Sequence, residues 1–419
     1  MSFLPADSLW RDRNFLRLFL ATTLTVLGTS ISQMALPLTA VQLLDASATD
    51  MGILAACQLL PFVTVGLPAG VWIDRSHKRR IAVLFDLSAA AGLALVPLGA
   101  LFDFLSLPLL CVVGFVVSST EAIGGSALQV FTTQLVGRER LVLANSKLSA
   151  ASSVALVVGP AIAAALVATV GAPLAVTVDA LSFLCSAMLV ASIRHREVIN
   201  AVSAGVSWLA QMREGLVLVW RTPMLRALVW VVALWIIVSD AFRALYVLHA
   251  ARNLSLEAGD IALINTLGAL GGLAGAPLAH WLERRFGIRR ALAVGVLLAG
   301  AGLCLYALPR ADWALAAWGA GLGLMVFDCG AAVYVVNYLS LRQAVTPDAL
   351  LGRMVTSMRF VSIIPAPLGT IAIGRAADGV GLVPVFLSLA AACVVMGLLA
   401  ARFLPRPVMA NAGGAAPPT

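Results

Sequence analysis

Two acids stand where an apolar chain has little reason to carry them. Glu121 sits in Ser-Ser-Thr-Glu-Ala-Ile-Gly-Gly (118–125) and Asp328 in Met-Val-Phe-Asp-Cys-Gly (325–330). Asp240 and Arg243 lie three apart in another apolar run, and Gln33 lies in the first. A charge in the middle of a hydrocarbon-spanning segment costs about 2.5–3.5 kcal/mol on insertion scales, so each one needs a reason. A carboxyl group in a low-dielectric, partly wet cavity can take up and release a proton near neutral pH, or hold a cation. Glu121 is the first candidate for that chemistry and Asp328 the second. A structural hydrogen bond to a neighbouring helix is the competing reading for Glu121. Asp240 and Arg243 share one helical face and can neutralise each other; left free, Arg243 would meet an anion.

The segments that carry these groups must be helices in lipid. Hydrophobic residues make up 61% of the 419 and charged residues only 11%, against about 25% in soluble domains. Twelve long runs, from Asn14–Leu43 to Leu382–Phe403, are bounded by charge, Pro or Gly. They are Ala- and Leu-rich and lack period-two alternation, which argues for helices rather than strands. The bases gather in alternate connections: Arg75/Lys78/Arg79/Arg80, Arg138/Arg140, Arg194/Arg196/Arg213/Arg221, Arg284/Arg285/Arg289/Arg290 and Arg342. The positive-inside rule puts that face, and both termini, in the cytoplasm. The net charge of +8 is thus topological, and no nucleic-acid partner is expected. No signal peptide is expected either, since Arg11, Asp12 and Arg13 precede a first run too long for one. The six cysteines form no C-x-x-C pair and the four histidines are scattered, so neither a metal site nor a cofactor is expected.

The chain repeats itself. Gly66–Val83 is echoed by Gly275–Val294, and the stretch from Leu141 by the stretch from Leu350, at nearly one shift of about half the chain. Each echo links span n to span n+6, which favours two six-helix halves, an organisation common in secondary transporters with a midplane site. The expected division is 1–193 for the first half, 194–223 for a linker, 224–404 for the second half and 405–419 for a disordered tail. In the linker, Trp208, Leu209, Met212, Leu216 and Val219 form one stripe, as in an interfacial amphipathic helix. Asp86 and Asp179, near the ends of spans three and six, are expected in structural pairs. Lys147 is expected to snorkel to the cytoplasmic face. Arg359, two turns into span eleven, is a candidate partner for Asp86 or Asp74.

The run Gly70-x-x-x-Asp74-Arg75-x-x-Lys78-Arg79 resembles the signature loop between helices two and three of the major facilitator superfamily. His77 stands where that loop has Gly. Gly159-Pro160 resembles the fifth-helix motif of the superfamily's drug/proton antiporters, with Ala163-Ala164 in place of its glycine pair. "GPAIAAAL" and "VDALSFLCSAML" are similar to the branch of siderophore exporters and macrolide efflux proteins. The resemblance implies an all-α membrane protein of twelve helices in two pseudo-symmetric halves. It implies that spans one, four, seven and ten line the cavity, so that Gln33, Glu121, Asp240, Arg243 and Asp328 belong there. It implies a cytoplasmic latch in which Asp74, with Arg75 or Arg353, ties span two to the start of span eleven. Gly70 would allow close helix approach, and Gly159-Pro160 would kink span five.

The expectation is therefore a non-enzymatic inner-membrane exporter of a small organic molecule, a siderophore or a drug, working by alternating access in exchange for protons. Its partners would be substrate, protons and lipid, with the chain acting as a monomer. A proton-independent facilitator, an importer of a small metabolite and a lipid-handling protein are the alternatives left open.

Overall fold

Among the described residues, eleven of the twelve apolar runs fold as helices of membrane-crossing length. The computed structural model describes residues 9–65, 72–73, 75–197, 208–347 and 350–403. The first six helices are α1 (Arg13–Leu43), α2 (Ala48–Thr64), α3 (Lys78–Leu101), α4 (Leu107–Val136), α5 (Leu141–Val170) and α6 (Ala172–Ala191). After a linker helix, Trp208–Arg221, come α7 (Pro223–Leu248), α8 (Ala258–Phe286), α9 (Ile288–Ala307), α10 (Ala316–Ala344), α11 (Leu351–Val380) and α12 (Leu382–Phe403). Among the described residues eleven helices are long and apolar enough to cross a membrane, and α2 is a shorter apolar one.

The two halves repeat at a constant shift of 210 residues, finer than the echoes in the sequence. Asp45 and Ser255 each take positive φ after the first helix of their half. Ser47/Asp50 and Glu257/Asp260 each form a capping box at the next helix. Gly171 and Gly381 each take positive φ where only glycine is unstrained. The shift pairs Gly287, at φ 80°, with His77, at φ −71°. The first-half turn is thus made without a left-handed residue, which is why His77 is tolerated. Glu197, from the chain after α6, takes up the freed donors: its Oε2 accepts from the Lys78 N–H at 2.5 Å and its Oε1 from the Arg79 N–H at 3.3 Å. The Arg79 guanidinium donates to the Ile193 carbonyl. Lys78 is buried and Arg75 exposed. Gly70 and Asp74 lie outside the described residues.

Two motif positions have partners the sequence did not indicate. α5 runs as one helix through Gly159-Pro160, whereas its repeat partner α11 breaks at Ile364-Pro365. Gly159 instead admits α1: a Cβ there would stand 2.5 Å from the Ser30 Cβ. Arg353 pairs with Glu214 of the linker helix, and Ser357 donates to the Met212 carbonyl at 3.2 Å. The linker helix is thereby docked on the start of α11. Gly215 makes this possible, since a Cβ there would lie 2.4 Å from the Arg353 carbonyl oxygen. Gly215→Ala is expected to cost about 1–2 kcal/mol through the forced separation, whereas Glu214→Gln, on a solvent-exposed pair, should cost under about 1 kcal/mol. Thermal unfolding in detergent, with proteolysis of the linker as a second readout, checks the order.

Candidate functional site

The polar groups of the apolar runs converge on three adjoining cavities, and Gln33 of α1 lines all three. The largest, about 600 Å³, is walled by first-half helices and is rich in hydroxyls and amides, including Thr25, Thr29, Thr120, Gln129 and Asn145. Thr22, Thr132 and Asn145, in its wall, lie near the basic-face ends of α1, α4 and α5. A second, about 370 Å³, holds Arg243, Tyr246, Asn265 and Asp328 with Ser30 and Pro160. A third, about 470 Å³, joins Glu121 to Asp240 and Arg243.

Glu121 opens onto this space rather than into a protein core, and the backbone explains its placement. Within α4, residues Thr120–Gly125 form a π-helical turn. Such turns insert one extra residue into a helix and recur at functional sites. Gly124 lets the turn lie against Phe85, where a Cβ would stand 3.0 Å from that side chain. Thr120 anchors it by donating to the Phe85 carbonyl at 2.9 Å. The cation whose field reaches Glu121 is Arg359 of α11, in the other half. Arg359 also sits over the Phe62 ring of α2 at 5.3 Å. Sequence reasoning offered Arg359 to Asp86 or Asp74. Asp86 instead accepts from Ser186 of α6 at 2.7 Å, and Asp74 lies outside the described residues.

Asp328 and Arg243 form an ion pair at 2.6 Å. The Arg243 side chain keeps 53% of its surface open to the cavity, against 16% for Asp328. So Arg243 is matched across α7 and α10 by Asp328, not only by Asp240 on its own helix as the three-residue spacing suggested. Asp240 lies within the same field. Tyr246 donates to Asn265 Oδ1 at 3.0 Å, and its carbonyl accepts from Tyr306 at 2.8 Å. Under the 210-residue shift Arg243 is the counterpart of Gln33, so the two halves present a base and a neutral amide from equivalent places.

Asp86 is more than a peripheral structural acid, because it also lines the largest cavity. Its position one helix behind the expected wall gave no sequence signal. Asp179 is fully buried, accepts from Ser182 at 3.1 Å and lies against α1 at Gly28. Lys147 does not simply reach for water: its ammonium stands 4.2 Å over the Trp10 ring. Among the described residues no group of three or more His, Cys, Asp or Glu is placed to hold a metal.

Residues 18–370 fit the Major Facilitator Superfamily. The chain belongs to the major facilitator superfamily. It is 30% identical over 398 residues to the multidrug efflux pump Tap of Mycolicibacterium fortuitum, covering 90% of this chain and 92% of that one. It is 26% identical over 201 residues to macrolide efflux protein A of Streptococcus pyogenes, covering 48% and 50%. Among solved structures, the nucleoside transporter NupG shares the fold with a TM-score of 0.76 at 11% identity, covering 92% of this chain and 98% of that one. The twelve-helix, two-half architecture is thus that of a multi-pass membrane transporter with efflux relatives.

Proposed function

We propose that this transporter exports drug-like organic molecules across a bacterial inner membrane by alternating access, one or more protons entering for each molecule leaving. The observation that carries the reading is the cross-half arrangement at Glu121. An acid on the first half shares one cavity with Asp240 and Arg243 of the second half, and a further second-half cation, Arg359, stands over Phe62 of α2. A proton on Glu121 weakens the attraction between the halves; its loss restores it. Proton binding is then linked to the position of one half against the other, which a coupled transporter requires. The cavity in the present arrangement reaches toward the basic face, which the positive-inside rule assigns to the cytoplasm together with both termini. Both halves belong to one chain, so a monomer suffices.

The lining favours a cationic or neutral, hydroxyl-bearing solute. Glu121 and Asp86 supply acids, and the guanidinium of Arg243 is already matched by Asp328. An anionic iron chelator of the siderophore type would meet two acids there and find its one lining base already paired. In proteoliposomes an imposed pH gradient should drive ethidium uphill, and ethidium should in turn displace protons. Movement only down the ethidium gradient, indifferent to a protonophore, would refute the exchange.

A further inference from the structure

We infer that Asp378 is an outer latch: a carboxylate on the end of α11 that closes the transporter on the face opposite the bases by taking up the free donors at the start of α2. The first turn of a helix leaves four N–H groups without intrahelical partners. Here their accounting is complete. Around Ser47 the local capping box uses two, the Ser47 N–H going to Asp50 Oδ2 at 2.9 Å and the Asp50 N–H to Ser47 Oγ at 3.1 Å. The two left over, at Ala48 and Thr49, are taken by the other half of the molecule. Asp378 Oδ1 accepts from the Ala48 N–H at 2.8 Å, and Oδ2 accepts from the Thr49 N–H at 2.9 Å and the Thr49 hydroxyl at 2.5 Å. A carboxylate at a helix N-terminus is further stabilised by the helix dipole.

The surroundings bring the two helices together at this spot in the present state. A Cβ at Gly374 would stand 2.4 Å from the Ala48 carbonyl oxygen, and one at Gly52 would stand 2.6 Å from that of Thr370. A second cross-half tie, Arg252 to Asp45, lies on the same face. The repeat makes the latch one-sided. At the 210-residue shift Asp378 corresponds to Ala168 at the end of α5, so α5 has no acid to offer the start of α8.

When the halves part on this face, water must replace Asp378 at Ala48 and Thr49. The latch therefore biases the equilibrium toward the state open to the basic face without contributing to substrate or proton binding. The inference rests on alternating access, and on neither the drug substrate nor the proton.

Labelling tests it. Met51 lies one turn into α2 and is 2% exposed. The full chain carrying Met51→Cys is treated with a membrane-impermeant maleimide from the outside. The chain with only its native cysteines serves as background. Adding Asp378→Ala should raise the labelling rate at position 51 about fivefold, the scale of a lost helix cap. Thr49→Val, a milder change that keeps the acid, should raise it less, and the double change should not add up. Gly374→Val, which wedges α2 from α11, serves as the reference for an opened face. If Gly374→Val labels and neither Asp378→Ala nor Thr49→Val differs from the parent, the latch is wrong while alternation stands. If no variant labels, opening on this face is wrong, and the latch falls with it.

Discussion

Replacing Glu121 by Gln is expected to abolish pH-driven accumulation while leaving exchange down a solute gradient intact. Across one pH unit, a one-for-one electroneutral exchange can hold a solute about tenfold above equilibrium, because a tenfold ratio and one pH unit are each about 1.4 kcal/mol. With glutamine at 121 no proton is carried at that site, and the ratio should fall to unity. The side chain opens to the cavity and its backbone is held by Thr120 and Gly124, so the amide should fit without disturbing α4. Proteoliposomes with a fixed pH step measure the ratio, and counterflow of labelled solute without a pH step measures what remains. Full accumulation in Glu121→Gln would sink the assignment. If Asp86→Asn then lost it, the proton site would lie on α3, against the same cavity. Arg359→Gln should also weaken coupling, since it removes the charge that makes protonation of Glu121 felt by the other half.

Much of this was legible in the sequence for a definite reason. Length, hydropathy and the one-sided placement of bases report directly on a bilayer, so the helices, the two halves and the polar groups of α1, α4, α7 and α10 could be placed. What stayed hidden depends on rotation about a helix axis or on contacts between distant segments. The π-turn at Thr120–Gly125 adds a residue that a 100° helical wheel cannot show. Arg243 was seen beside Asp240, three residues away, although its hydrogen bond is to Asp328, 85 residues away. Arg353 went to Glu214, a linker residue whose helix was expected to lie on the membrane surface. The break in α11 at Ile364-Pro365 has no counterpart in α5, although both helices bring a glycine, Gly159 and Gly369, close to the first helix of their half. Asp378 could not be read as a latch at all, because its partners, two main-chain donors and a hydroxyl, lie more than three hundred residues away.

The ion pair at Arg243 decides what Asp328 is for. Asp328→Asn leaves a guanidinium within the second half with its acid gone, and breaking a buried pair from one side costs about 3–5 kcal/mol. Half of Arg243 is in contact with the cavity, so the expected loss is reduced to about 2–3 kcal/mol for that exposure. Arg243→Gln should cost less, because Asp328 can then be neutralised by a proton. The double variant should be more stable than the sum of the single losses predicts, with an interaction energy of about 1–2 kcal/mol in the cycle. Thermal unfolding of purified protein reads the cycle. Transport separates two roles. If the double variant still accumulates solute against a pH step, Asp328 serves as the counter-ion of Arg243 and the coupling proton belongs to the first half. If the double variant is as inert as Glu121→Gln, the carboxylates on α4 and α10 share the work, and a single exchange site on the first half is too simple.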